Sequence, residues 1–292
     1  MSSANGLSRP ITTTNTTPAA TPTPLATATP AATATPAATA TPAATNIDDV
    51  AVAESLAAAA LSLARRFAAG ATMWCTAPQW RSHGRHVAVE FVHPVIVGKR
   101  ALPAVDLEGT DVAASLRLLS RPGDVLLVVS AVADPAARDI LRRAEAWGLT
   151  RIWLGAGPRP PAGAAEHVVW WEGLDAAFAA QSGDIVLLYH LLWELSHVVF
   201  EHPGLLEAKD GLGAECTDEV CITCSDEGRV AEVTAMHGDG RAEVLVGGRP
   251  ETVDASLVDA GPGDLLLVHA GVAVTLLGGP GPSAGGDEEA RP

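Results

Sequence analysis

The chain is poor in basic residues. Lys and Arg together number 19 among 292 residues, against 34 Asp and Glu, which gives a formal net charge of −15 at pH 7. Binding to nucleic acid or to an anionic membrane surface depends on basic side chains that displace counterions. We therefore expect neither nucleic acid nor a membrane among the partners of this protein.

Long apolar runs and a disulfide pattern are also missing. No apolar run approaches the roughly 20 residues of a transmembrane helix. The first residues lack the basic stretch followed by an apolar stretch that is typical of a secretory signal. The four cysteines, three of them clustered, do not form the framework of a small secreted protein. These absences predict a cytoplasmic protein.

Residues 1–46 consist mainly of Thr, Ala and Pro, and the unit AATATP recurs there. Such a segment cannot bury enough apolar surface to offset its ordering entropy. We expect a disordered tail with polyproline II character. It could serve as a spacer, dock a partner, or be low-complexity sequence without a role.

Between residues 47 and 208, helical patterns alternate with short apolar runs. This alternation predicts an α/β domain with a mostly parallel sheet that is covered on both faces. Asp111, and Asp134 followed by Pro135, are typical first residues of helices. The predicted helices are 47–69, 86–93, 111–119, 134–147 and 184–200, and the predicted strands are 71–75, 101–107, 125–130, 151–154 and 167–170.

The pattern changes after a Gly-containing linker at residues 209–215. Five short apolar runs separated by Gly, Asp and Pro lie within residues 216–278, which predicts a small all-β, OB-like, antiparallel barrel. This segment is strongly acidic, unlike barrels that bind oligonucleotides. Residues 279–292 are expected to form a flexible tail. The predicted strands are 228–235, 242–246, 251–253, 264–269 and 272–277.

Several motifs in the α/β segment resemble the SIS (sugar isomerase) domain, and within it the phosphoheptose isomerase branch. They are HVAVEFV at 86–92, ALPAVDL at 101–107, RPGDVLL at 121–127, and a late helix that carries His190 and Glu194. Together they cover most of residues 50–205. The resemblance implies an α/β fold with a sugar-phosphate site.

The resemblance also implies which residues carry that site. His86 and Glu90 match an HxxxE pair that supplies a metal ligand and a catalytic carboxylate, and His190 matches the histidine of the last helix. A glutamine that the family places eight residues before this histidine falls on Ser182, next to Gln181. Two imidazoles and one carboxylate suit zinc, and Glu90 with His190 would serve proton transfer beside a sugar carbonyl.

The two phosphate-binding loops of that family are altered here. The family has Gly-rich and hydroxyl-rich turns, because a phosphate needs close approach of backbone N–H groups. The corresponding stretch 76–80 contains no Gly, and the stretch 130–135 carries Asp134 in place of the hydroxyl series. A carboxylate repels a phosphate dianion at close range. A sedoheptulose 7-phosphate isomerase with a regulatory barrel is therefore the second hypothesis.

The histidines also have an interpretation without metal. In that interpretation they are interface or surface residues, and the resemblance implies that the domain pairs with a second copy through helices. We expect a homo-oligomer. The histidines concerned are His83, His86, His93, His190 and His197, and the stripe His190, Glu194, His197 and Glu201 is the predicted dimer face.

A cysteine cluster, Cys216, Cys221 and Cys224, precedes the predicted barrel. Structural zinc usually needs four ligands in two pairs, and a second CxxC is missing. A redox CxxC needs a βαβ context, which a barrel does not provide. Both interpretations remain open.

The segment around this cluster resembles the HypC/HupF hydrogenase-maturation chaperones. The matching runs are CITC at 221–224 with GRVAEV at 228–233, VDASLV at 253–258 and GDLLLVHAGVA at 263–273. In this family a cysteine carries an iron–cyanide–carbonyl fragment. The chaperone, together with its partner protein HypD, transfers this fragment to the hydrogenase large subunit.

The resemblance assigns the iron cargo to Cys221, with Cys224 as a second thiol and His269 as a supporting polar group. A soft thiolate binds low-spin iron well and can release it. The predicted protein is thus a hydrogenase-assembly accessory factor that carries a degenerate SIS domain. Its expected partners are a HypD-like factor or the hydrogenase large subunit.

Overall fold

The computed structural model describes residues 50–94, 96–109, 111–207 and 228–279. Within these ranges helices and strands are interspersed up to Glu207, and only strands follow. The helices are α1 (Val50–Ala68), α2 (Arg81–Val92), α3 (Val112–Leu119), α4 (Pro135–Ala146), α5 (Ala176–Ala179), α6 (Gly183–Glu201) and α7 (Pro203–Glu207). The strands are β1 (Met73–Thr76), β2 (Ala104–Asp106), β3 (Val125–Val129), β4 (Thr150–Ala156), β5 (His167–Trp171), β6 (Arg229–Met236), β7 (Arg241–Val246), β8 (Arg249–Asp254), β9 (Leu265–His269) and β10 (Val272–Gly278).

The first five strands form one parallel sheet in the order β2-β1-β3-β4-β5. Every residue of β3 and β4 is buried, as expected for central strands covered on both faces. Alternate side chains of β3 enter opposite layers: Leu127 packs with α1, α2 and α6, whereas Leu126 packs with α3 and α4. The predicted parallel α/β architecture is confirmed.

Short polar side chains begin several of the helices. The Asp111 carboxylate accepts from the Ala114 N–H, and the Asp134 carboxylate accepts from both Ala136 and Ala137 N–H. These bonds satisfy amides that have no partner within the helix. Ser182 begins α6 in the same way, since its hydroxyl accepts from the Asp184 N–H. The predicted starts of α3 and α4 are confirmed.

The remaining five strands close into a barrel in the order β10-β8-β7-β6-β9. Each predicted run corresponds to one of them. Four of the pairings are antiparallel, but β8 and β10 meet in parallel at Asp254 and Val272, so the expectation of an entirely antiparallel barrel is wrong at this one pair. A small apolar core that includes Val233, Val244 and Leu266 fills the interior.

The barrel packs against α4 through both apolar and charged contacts. Leu265 of β9 joins the apolar cluster under α3 and α4. The buried Glu232 of β6 accepts from the Trp147 indole N–H at 2.6 Å and from the Arg117 guanidinium at 3.0 Å. Arg143, itself buried, donates to the carbonyl of Gly263 at 3.0 Å. Helix α4 therefore supports the sheet with one side and the barrel with the other.

Two glycine positions allow the β7–β8 turn to approach the end of α4 closely. Gly148 has a φ of +76°, and a Cβ there would lie 2.4 Å from the carbonyl oxygen of Gly247. The Gly248 N–H donates to the Ala146 carbonyl at 2.7 Å. Contact at this distance is possible only because Gly148 has no side chain.

We predict that Gly148→Ala lowers the free energy of unfolding by about 2–4 kcal/mol, because it adds a backbone clash to left-handed strain. Gly163→Ala is the matched control, since Gly163 has a φ of +79° with open space around the added methyl group. The control should cost only the strain, about 1–2 kcal/mol. Urea unfolding measures both, and equal losses would contradict the close docking of the turn.

Candidate functional site

The structure brings together the three residues His86, Glu90 and His190. His86 and Glu90 lie one turn apart on α2, and His190 faces them from the packed helix α6. The His190 Nε2 lies 3.4 Å from the His86 Nε2 and 3.6 Å from the Glu90 Oε2. All three ligand atoms lie within 4.8 Å of one another. Their role as metal ligands stays a prediction.

Two of the three separations between these atoms match those expected around a tetrahedral zinc ion. Zinc binds imidazole nitrogen at about 2.0–2.1 Å, so two ligands at the tetrahedral angle stand roughly 3.4 Å apart. The two separations to His190 Nε2 are close to this value. Three protein ligands with a fourth position open is the composition of catalytic rather than structural zinc.

The fourth position is not filled by Ser182, on which the family's glutamine falls. Its hydroxyl caps α6, because it accepts from the Asp184 N–H and donates to the Asp184 carboxylate. The site itself is partly open, since the side chain of His190 is 41% exposed and that of Glu90 is 13% exposed. Solvent or a small ligand can reach it, as acid–base chemistry requires.

Behind His86 lie two residues that sequence reasoning did not assign to the site. The Tyr189 hydroxyl is 2.8 Å from His86 Nδ1 and 3.5 Å from His83 Nδ1. The other nitrogen of His83 lies 3.1 Å from the Ala180 carbonyl oxygen. The signal was present in the sequence: His83 lies three residues before His86 on α2, and Tyr189 is adjacent to His190.

Burial determines the charge of these two side chains. Burial lowers the pKa of His83, although its bond to the Ala180 carbonyl opposes the shift. Burial, together with the negative charge of Glu90, raises the pKa of the Tyr189 hydroxyl. His83 is therefore a neutral imidazole and Tyr189 a neutral phenol at physiological pH.

The predicted dimer face on α6 is wrong at His197. This residue is 2% exposed, and its two nitrogens lie 2.9 Å from the Trp193 carbonyl oxygen and 3.0 Å from the Arg100 carbonyl oxygen. It packs inside its own chain because α6 turns that side toward the core. Glu201 pairs instead with Lys99. Glu194 and Glu201 are both exposed, so the outer surface of the stripe keeps these two carboxylates and the partly exposed His190.

Helix α6 is also, among the described residues, the one helix long and apolar enough to cross a membrane. Of its most apolar 18 residues, 44% are buried within the structure. The core helix of a soluble protein passes the same test.

A cavity of about 630 Å³ opens at the carboxyl edge of the parallel sheet. This edge, where β1 and β3 lead in opposite directions, is where ligands bind in open α/β sheets. The N-terminal half of α4 lines it, but Asp134 already occupies the first free amides of that helix. The polar and charged residues around the cavity are Thr76, Arg81, Asp106, Glu108, Asp111 and Asp139.

Two carboxylates of this cavity interact with each other. Burial, followed by the charge of Glu108 and a hydrogen bond with it, raises the pKa of Asp106 to about 6. Asp106 also lies against α2, where a Cβ at Gly84 would be 2.8 Å from its Oδ1. With acidic side chains in the majority, the cavity is electrostatically unfavourable to a phosphate dianion.

We predict that Asp106→Asn makes the protein more stable relative to wild type as the pH rises from about 4 to 7. Because the folded-state pKa is raised, the stabilising contribution of Asp106 is present below its unfolded pKa and is lost as the pH passes about 6. Thermal unfolding across this range measures the difference. Asp259→Asn, at an exposed position, is the control, and parallel curves for both variants would contradict the shift.

The cysteine cluster Cys216, Cys221 and Cys224 lies outside the described residues, so the predicted iron site stays a prediction. His269 is described and ends β9. It is followed by a tight turn in which Ala270 has a φ of 50° and Gly271 a φ of 80°. The fourth cysteine, Cys75, is buried in β1, and burial raises the pKa of its thiol, so it is chemically inert.

No family model and no curated protein matches the sequence. About half of the chain is similar in structure to proteins of the sugar-isomerase type. A phosphoheptose isomerase from Francisella tularensis aligns with 50% of this chain and 86% of its own length, at a TM-score of 0.44 and 15% identity. The phosphoheptose isomerase GmhA from Neisseria gonorrhoeae aligns with 50% and 87%, at 0.41 and 16%.

The sugar isomerase domain of an RpiR transcription factor from Sphaerobacter thermophilus aligns with 53% of this chain and 82% of its own length, at a TM-score of 0.39 and 20% identity. Similarities of this size do not show which chemistry this chain performs, so its chemistry has to be inferred from its own residues. None of the three proteins is a hydrogenase-maturation chaperone, so the resemblance of the barrel to HypC/HupF stays a prediction.

Proposed function

We propose that this protein is an accessory factor of hydrogenase assembly. Its barrel would act like a HypC/HupF chaperone and bind iron cargo through Cys221 and Cys224. The three runs that resemble this family fall on connected parts of one closed barrel: residues 228–233 in β6, residues 253–258 at the end of β8, and residues 263–273 across β9 and β10.

The observation that carries this proposal is the pairing of β6 with β9. Arg229 pairs with Val268 in antiparallel register, so Gly228 stands opposite His269. The chain that bears the cysteines continues into β6 at Gly228, and the four residues from Cys224 span at most about 14 Å. A thiolate and the His269 imidazole would therefore lie at the same end of the barrel.

These groups suit a transfer function better than permanent metal storage. A thiolate is a soft ligand for low-spin iron, and a site with few ligands releases its metal readily. The iron–cyanide–carbonyl fragment would arrive from a HypD-like factor and leave to the hydrogenase large subunit. The α/β domain would add a second copy of the chain as a homo-oligomer, in the cytoplasm.

The partner test uses the full-length tagged chain, purified without oxygen from cells that make a nickel–iron hydrogenase. The proposal predicts that the immature large subunit or the HypD-like factor copurifies with wild type and with Cys75→Ala, but at least tenfold less with Cys221→Ala. Equal recovery with Cys221→Ala would mean that the thiol is not required. No recovery of either partner with wild type would overturn the proposal.

We propose in addition that His86, Glu90 and His190 hold a zinc ion in the α/β domain. Their spacing and accessibility fit such an ion. When bound, zinc would act as a Lewis acid for a ligand oxygen. Glu90 and His190 could bind it or exchange protons at the same place.

A sugar-phosphate isomerase is the competing function for this domain. The expected phosphate loops carry Pro78, which has no N–H, and Asp134, which already caps α4. Both features disfavour a phosphate ligand. Turnover of sedoheptulose 7-phosphate by wild type that is lost in Glu90→Gln would nevertheless establish the isomerase over the accessory role.

A further inference from the structure

A continuous line of hydrogen-bonding groups connects the backbone of residue 180 with His86. It runs from the Ala180 carbonyl through His83 and the Tyr189 hydroxyl to the His86 Nδ1. Its two inner members are buried, since His83 is 5% exposed and Tyr189 is 0% exposed. Buried polar groups of this kind need hydrogen-bond partners. This requirement indicates which group donates and which accepts in each bond of the line.

The direction follows from the Ala180 end. A carbonyl oxygen only accepts, so the His83 Nε2, at 3.1 Å, carries the proton and donates it. In a neutral imidazole the other nitrogen, Nδ1, is then an acceptor. The Tyr189 O–H faces this Nδ1 at 3.5 Å, and a hydrogen bond from it would give the buried nitrogen its partner.

The same reasoning points to one tautomer of His86. With the Tyr189 proton directed at His83, the Tyr189 oxygen accepts from the His86 Nδ1–H at 2.8 Å. The His86 Nε2 is thereby left with its lone pair, and it faces the His190 Nε2 at 3.4 Å. A second hydrogen bond at the far ring nitrogen is the usual means by which proteins orient a metal-binding histidine.

We propose that Tyr189 and His83 are positioning residues that hold His86 as the Nδ1–H tautomer, so that its Nε2 is ready to bind a divalent metal beside Glu90 and His190. This inference rests on the zinc centre proposed above. The rings support it sterically, because Tyr189 meets His86 edge-on at 5.2 Å between centroids. Tyr189, which lies between the imidazoles of His83 and His86, would orient His86 without being a metal ligand itself.

The first experiment measures the tautomer without metal. In protein labelled with 15N-histidine, the ring nitrogens of His86, assigned by comparison with His86→Gln, should report a protonated Nδ1 and an unprotonated Nε2 in wild type. Tyr189→Phe keeps the ring in its pocket but removes the hydroxyl, and it should shift His86 to a mixture of tautomers. A wild-type mixture, or an unchanged Tyr189→Phe, would overturn the inference.

The second experiment measures zinc affinity by competition with a chromophoric chelator, and follows cobalt substitution by visible absorption. Tyr189→Phe should bind zinc about 10–100-fold more weakly at unchanged stoichiometry. His83→Phe should cost a similar factor, and the double variant little more, because both act through one line. Ser196→Ala, which removes a buried hydroxyl from the same helix, should leave the affinity unchanged.

The outcomes separate the two proposals. Full zinc affinity in Tyr189→Phe would leave the zinc centre standing and remove Tyr189 from it. Wild type that binds no zinc would overturn both the zinc centre and this use of the tautomer, whatever the nitrogen shifts show.

Discussion

His190→Ala should abolish stoichiometric zinc binding. His190 Nε2 is the atom that stands 3.4 and 3.6 Å from the other two proposed ligands, so its loss leaves only the pair on α2. We expect an affinity loss larger than the 10–100-fold range of supporting residues. Equilibrium dialysis with zinc, followed by metal analysis, measures it. The fold should remain intact, because the His190 side chain is 41% exposed.

His202→Ala is the control for this experiment. His202 is an exposed histidine at the end of the same helix, and it lies outside the cluster of three. It should retain one zinc per chain at wild-type affinity. Equal zinc content in His190→Ala and wild type would rule out the proposed centre. The three side chains would then be surface residues that interact with one another without a metal.

Glu232→Ala should destabilise the docked barrel by about 3–5 kcal/mol, because removing one partner of a buried charged network leaves the others uncompensated. The Trp147 indole N–H would lose its acceptor, and the Arg117 guanidinium would lose its ion pair. Arg143, with its side chain 4% exposed, has the other Glu232 oxygen at 3.9 Å and would lose that neighbouring charge too. Urea unfolding followed by tryptophan fluorescence measures the change in the free energy of unfolding.

Glu243→Ala is the matched variant on the same barrel. Its side chain is 55% exposed and faces His237 at 3.4 Å, so its removal should change stability by less than about 1 kcal/mol. If Glu232→Ala were no more costly than Glu243→Ala, the contact between α4 and β6 would not contribute to the folded state as described.

Much of the architecture is readable from local sequence signals. The apolar runs that became β3 and β4 are fully buried and bounded by turn residues, and Asp134 with Pro135 begins α4 where the pattern predicts it. The start of α2 was less visible. This helix begins at Arg81, five residues before the matched motif, because its first turns are polar and contain Gly84. The structure explains the glycine, because a side chain at position 84 would collide with Asp106. This contact joins distant parts of the chain.

The docking of the barrel was beyond the reach of sequence reasoning. Arg143 and Trp147 have the spacing of ordinary residues on an amphipathic helix, and Glu232 has that of a strand residue facing solvent. Only the folded chain shows that these three meet. The predicted domain boundaries stay predictions.

The candidate metal centre was likewise predictable from the sequence only in part. His86 and Glu90 share a helix, so their proximity follows from spacing alone, and His190 was added by resemblance to a known motif. Tyr189 and His83 were missed because a buried tyrosine is ordinarily a core residue. Their role depends on distances to His86 that spacing does not provide.

The most direct test of hydrogenase-assembly function is infrared spectroscopy of the full-length protein, purified without oxygen from cells that make a nickel–iron hydrogenase. We predict cyanide and carbonyl stretches in wild type, in Cys75→Ala and in His190→Ala, and their loss in Cys221→Ala. Stretches that persist in Cys221→Ala, or that are missing from wild type with its partners present, would contradict iron transport by this barrel.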